Sequence, residues 1–86
     1  MSETVTIWRQ AARTVLDVRP DLAQGDEPFV KIMEAAAAIP PGESLVLIAP
    51  FEPVPLYSAL GARGFGHQTE RLAEDEWVVC FTHTPA

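Results

Sequence analysis

The stretch SLVLIAP, Ser44 to Pro50, sets the tightest limit on what this chain can fold into. Leu45, Val46, Leu47, Ile48 and Ala49 are apolar at every position, so a strand made of them has no polar side to turn to water. Such a strand lies inside a sheet and is covered on both faces. Successive side chains alternate in direction, so Leu45 and Leu47 face one layer while Val46 and Ile48 face the other. The rest of the chain has to supply both layers.

One layer is legible in the flanking segments. TVLDVR, Thr14 to Arg19, alternates Leu16 and Val18 against Val15, Asp17 and Arg19, the pattern of a half-buried strand. PDLAQG breaks the chain, and Asp26 or Glu27 caps a helix with Pro28 in its first turn, where a missing N–H is harmless. Phe29, Ile32, Met33, Ala36 and Ile39 recur at three- and four-residue spacings and form its core stripe, while Lys31 and Glu34 face water. Pro40, Pro41 and Gly42 stop it. Two strands joined by a helix through short loops are parallel neighbours with a right-handed crossover. FEPVPLYSALGARG then supplies a short second helix ending at Gly64. GHQTERL and WVVCFTHT flank the acidic turn AEDE as a hairpin, with Trp77, Val79 and Phe81 on one face of its second strand. The order is βαβαββ: an α+β domain with two helices on one face of a four-stranded mixed sheet, a two-layer α/β sandwich.

The other face is the open question. If Leu45, Leu47, Val79 and Phe81 point at the helices, then Val46, Ile48, Val78 and Cys80 form an apolar surface too large to leave bare. Residues 1–12 are assigned as a tail or an extra strand ahead of a single domain at 13–86, because TVTIW alternates like a strand while IWRQAAR could form a turn or two of helix. Trp8 is either exposed or part of the cover. That tail, or a second copy of the protein, is expected to shield the second face.

Composition excludes several functions. Twelve acidic residues against six basic ones give a net charge of −6, and the basic residues (Arg9, Arg13, Arg19, Lys31, Arg63, Arg71) are scattered. Nucleic-acid binding draws its affinity from clustered cations on phosphates, so no nucleic-acid partner is expected. No apolar run approaches the roughly 20 residues of a membrane span, and MSETVTIWRQ lacks the basic and apolar regions of a signal peptide; no membrane partner and a cytoplasmic location are the expectations. The single cysteine, Cys80, allows neither an internal disulfide nor a cysteine-rich zinc site.

The motifs LDVR, EPFVKIMEA, PPGESLVLIAPFEPVPLYSALGARGF and WVVCF together resemble domain-of-unknown-function family 2249 (DUF2249), a relative of the TusA/SirA-like sulfur-carrier superfamily. The resemblance covers about residues 14–83 and is most specific in PPGESL and FEPVPLY. It implies a TusA/SirA-like sheet order 1-2-4-3 with the fourth strand antiparallel to the others. It also implies a bacterial protein, often an accessory to redox or nitrogen-oxide metabolism. Sulfur carriers of this fold place Cys-Pro-x-Pro at the front of their first helix; the corresponding residues here are Gly25, Asp26, Glu27 and Pro28. Helix-end N–H groups and the helix dipole would activate a thiolate there, but Gly25 offers no sulfur, and Asp26 and Glu27 repel an incoming anion. On this resemblance Gly25 is a vacated carrier position.

The remaining candidates are few. FEPVPLY is stiffened by Pro53 and Pro55, and presents Phe51, Glu52 and Tyr57 at the C-terminal end of the central strand, where open α/β sheets place ligands. Phe51 and Glu52 either staple and cap the second helix or, with Tyr57 and Arg63, form a binding surface. Cys80 in mid-strand is either a small buried hydrophobe or a redox or sulfur-handling thiol. His67 and His83 depend on the hairpin register: a three-residue loop pairs them, whereas a two-residue turn at Glu74–Asp75 sets His67 beside Thr82. Neither arrangement gives the three or four ligands of a zinc site. No cofactor is expected, and no catalytic motif allows a reaction to be named. The leading expectation is a non-catalytic domain that binds a protein partner, or itself through the open sheet face. The alternatives are thiol chemistry at Cys80 and a small-ligand or metal site.

Overall fold

A computed structural model describes residues 2–85. The elements are α1 (Glu3–Ala11), β1 (Thr14–Asp17), α2 (Arg19–Ala23), α3 (Phe29–Ala37), β2 (Ser44–Ala49), α4 (Val54–Gly61), β3 (Phe65–Ala73) and β4 (Glu76–His83). The strands form one sheet in the order β1-β2-β4-β3. β1 runs parallel to β2, while β4 is antiparallel to both its neighbours. The mixed sheet and its order are those expected.

Every residue of β2 from Leu45 to Ala49 is buried, as its unbroken apolar run demands. Leu45 lies opposite Phe81 and Leu47 opposite Val79, and these four pack against Ile32, Ala36 and Ile39 of the α3 region and Leu56 and Leu60 of α4. Complete burial of each large side chain in this layer contributes about 2–3 kcal/mol. Val46 and Ile48, opposite Cys80 and Val78, point to the other side. The division of residues between the two faces is the one that strand alternation predicts.

Residues 3–11, assigned to a tail or an extra strand with a turn or two of helix open in IWRQAAR, form a helix throughout. The Ser2 side chain accepts from the Val5 N–H at 3.2 Å and caps it, with Glu3 in the first turn and Arg9 in the last, both favourable to the helix dipole. The alternation of Val5 and Ile7 suggested a strand, but Ile7 is 56% exposed. Val5 and Trp8, three residues apart and so on one helical face, pack with Ala12 and Leu72 against Val46, Ile48, Val78 and Cys80. α1 therefore covers the second face of the sheet.

Two further departures bear on the site. PDLAQG, expected as a simple break, contains most of the short helix α2. Its end is a Schellman turn: Gly25 N–H donates to Leu22 O at 3.1 Å, and Asp26 N–H to Asp21 O at 2.9 Å. Gly25 takes φ +83°, the left-handed region that this turn requires. In the hairpin, a two-residue turn at Glu74–Asp75 follows the pair Ala73–Glu76, but a bulge between Arg71 and Ala73 shifts the register by one. His67 consequently faces Phe81, and His83 faces Phe65, which is neither of the registers foreseen.

Candidate functional site

An apolar cleft of about 210 Å³ opens at the C-terminal edge of β1 and β2. Its floor is Val18, Ile32, Leu47 and Ala49. One wall carries Leu22, Glu27, Pro28 and Phe29, from α2 and the entry to α3. The other carries Phe51, Pro53, Pro55 and Leu56, from the loop after β2 and the start of α4. The segment Glu27–Phe29 and the FEPVPLY stretch, which are far apart in sequence, thus face each other across one opening. Both walls are made of helix entries stiffened by prolines, and Pro28 and Pro53 are buried.

The rim is unusually apolar. Phe29, 44% exposed, and Phe51, 52% exposed, line the cleft on opposite walls, while Val30 and Val54, close to them in sequence, are 64% and 55% exposed without lining it. Phe29 was expected on the core stripe of α3; it instead stands at the start of the helix, on the cleft wall, and nearly half of it meets water. Phe51 is likewise no buried staple. A single exposed apolar residue is ordinary, but exposed phenylalanines on both walls of one apolar opening form a patch.

The charges on the cleft side of this edge are negative or already paired. The Glu27 carboxylate accepts from the Phe29 N–H at 2.6 Å, so the front of α3 is occupied by the chain's own anion. Lys31 is held by Asp21 at 2.9 Å. Arg19 pairs with Asp17 at 2.9 Å and reaches Glu76 at 3.7 Å. The hydrogen bond from Arg19 is the main reason the Asp17 carboxyl is held below the usual carboxylate range, against a smaller opposing effect of burial. The Arg71 guanidinium lies 5.3 Å over the Trp77 ring.

Glu52 and Tyr57 turn away from the cleft toward β3. The Tyr57 hydroxyl donates to Glu52 Oε2 at 3.1 Å and is hydrogen-bonded to Thr69 Oγ1 at 2.5 Å. Burial, with a further contribution from the Glu52 carboxylate, pushes the phenol pKa up, while the Thr69 hydrogen bond opposes this. The Tyr57 ring stacks on His67 with centroids 3.8 Å apart and planes within 3°. Glu52 makes no side-chain cap to α4, whose first turn is set by Pro53 and a backbone bond from Val54 N–H to Glu52 O at 2.9 Å. Arg63 follows the far end of α4, roughly 12 Å from its start at 1.5 Å per residue, and does not join the other three.

Cys80 is buried at 7% exposure beneath α1, with its Sγ 4.0 Å from the Thr82 hydroxyl. His83 Nδ1–H donates to Ile39 O at 2.7 Å, and its ring stacks on Phe65 with centroids 4.6 Å apart. Each histidine ring is therefore engaged with a different aromatic neighbour. Among the described residues no three of His, Cys, Asp and Glu converge as metal ligands, and no helix is long and apolar enough to cross a membrane. The sequence indicated the α4 wall through its prolines; the α3 wall and the cleft itself carry no local signal, because they arise from two distant loops meeting.

These features define a small α+β domain with an apolar cleft between two helix entries. The chain matches the family described as Uncharacterized conserved protein (DUF2249) over residues 15–83, and it belongs to that family. α1 lies outside the matched span. No curated protein and no solved structure matches the chain.

Proposed function

We propose that this domain is a non-catalytic protein-interaction module, and that the cleft between the entries of α3 and α4 receives an apolar side chain of a partner. The observation that carries the reading is the pair of exposed phenylalanines, Phe29 and Phe51, on opposite walls of a preformed apolar opening. Size supports a side chain over a cofactor, since about 210 Å³ falls short of the roughly 300–1,000 Å³ typical of small-molecule clefts. A redox or sulfur-transfer role for Cys80 draws no support from its surroundings, which are apolar and shielded by Trp8 and Val5. The resemblance to accessories of redox metabolism bears on which partner is bound, not on the mode of binding.

Affinity capture with three baits tests the reading: wild type, Phe51→Glu, and Ile7→Glu on the outer face of α1. Phe51→Glu is expected to lose a partner that the other two retain. Loss of a central aromatic anchor weakens binding by 2 kcal/mol or more, about 30-fold. The same proteins on all three baits would overturn the assignment of the cleft.

A further inference from the structure

We propose that the side chain entering the cleft belongs to a basic segment of the partner: an apolar residue flanked by lysine or arginine. The inference rests on the reading of the cleft as a protein-docking site and adds its recognition chemistry. Glu27 lines the cleft and Asp26 immediately precedes it in the chain, whereas the Glu52 carboxylate is turned toward Tyr57 and β3. Glu27 and Asp26 are both exposed, so an incoming segment meets carboxylates at the α3 wall of an apolar opening.

The cations on the cleft side of this edge leave that field in place; Arg9, which acts on Asp17, belongs to α1 on the other face of the sheet. Lys31 is neutralised by Asp21, Arg19 by Asp17 and Glu76, and Arg71 lies against Trp77 while its Nε–H donates to Ala73 O at 3.1 Å. The chain's net charge of −6 reinforces the sign. An anionic ligand is further disfavoured because the Glu27 carboxylate already takes the Phe29 N–H at the front of α3. The apolar floor supplies affinity, and the carboxylates select the sign of the flanking charges and speed their approach.

Three acetylated, amidated pentapeptides separate the elements of this idea: GKFKG, GEFEG and GKGKG. Each is titrated into uniformly 15N-labelled protein at low salt, with amide shifts of Phe29, Ile32, Leu47, Ala49 and Leu56 as the readout. GKFKG is expected to move these amides and to bind about tenfold more tightly than GEFEG, a preference that falls with added salt. Glu27→Gln keeps the hydrogen-bond acceptor for Phe29 N–H, so the helix entry stays formed while the preference narrows by roughly threefold. Equal or tighter binding of GEFEG at the cleft would overturn the charge selection and leave the cleft reading standing. Equal effects of GKGKG and GKFKG would reduce the interaction to nonspecific attraction and overturn the inference. Absence of cleft shifts with all three peptides would remove the docking site itself.

Discussion

Gly25 illustrates how a residue's conformation can answer a question that its chemistry raises. At φ +83° it closes the Schellman turn of α2, and a Cβ placed there would meet nothing within 4 Å. The requirement is one of backbone conformation and not of space. Gly25→Ala is therefore expected to destabilise the domain by about 1–2 kcal/mol in urea denaturation, the usual cost of a left-handed non-glycine residue. Gly61→Ala, at the end of α4 with ordinary φ, is expected to be neutral or mildly stabilising. Equal effects of the two would refute the conformational account. Asp17 makes a second residue-scale test. Its carboxyl is held low chiefly by Arg19, so the ionised form is favoured in the folded state. A depressed folded pKa contributes stability above the unfolded value, near pH 3.9, that is lost as pH falls through the folded value. The pair is more than a third exposed, so Asp17→Asn is expected to cost under about 1 kcal/mol at pH 7. That difference should shrink toward zero in denaturation measured below pH 4.

At the scale of elements, strands were more legible than helix ends or hairpin register. β2 announced itself because five apolar residues in a row fit only a doubly covered strand, and the two faces of β2 and β4 followed from alternation alone. α1 did not, because Thr4-Val5-Thr6-Ile7 satisfies a period of two locally, while the pairing of Val5 with Trp8 gains meaning only beside the sheet that they cover. The hairpin register turned on one bulge, which displaces every cross-strand partner from Arg71 back to Phe65 yet leaves no mark in the residues near the histidines. If α1 is the cover of the second face, a charge on its buried side should open it. Val5→Asp is expected to raise the rate of Cys80 alkylation under native conditions, tenfold for every 1.4 kcal/mol by which α1 is loosened. Unchanged labelling would mean that α1 is not what shields the thiol.

At the scale of the whole molecule, the candidate site was half legible. Proline-rich FEPVPLY pointed to the sheet edge where the cleft opens, but grouped Tyr57 and Arg63 with Phe51, although Tyr57 faces β3 and Arg63 lies a helix length away. The opposing wall at Glu27–Phe29 entered only when the loops after α2 and β2 met. The same long-range architecture shapes how the molecule is made. β2 pairs along its length with β4, yet α4 and β3 are synthesised between them. At about 5–20 residues per second, a nascent chain carries its most apolar strand with one open edge for a few seconds. A hairpin arriving last must then dock along that edge for the core to close. Ribosome stalling within β3 would thus leave exposed the one segment of this protein best suited to stick to another copy of itself.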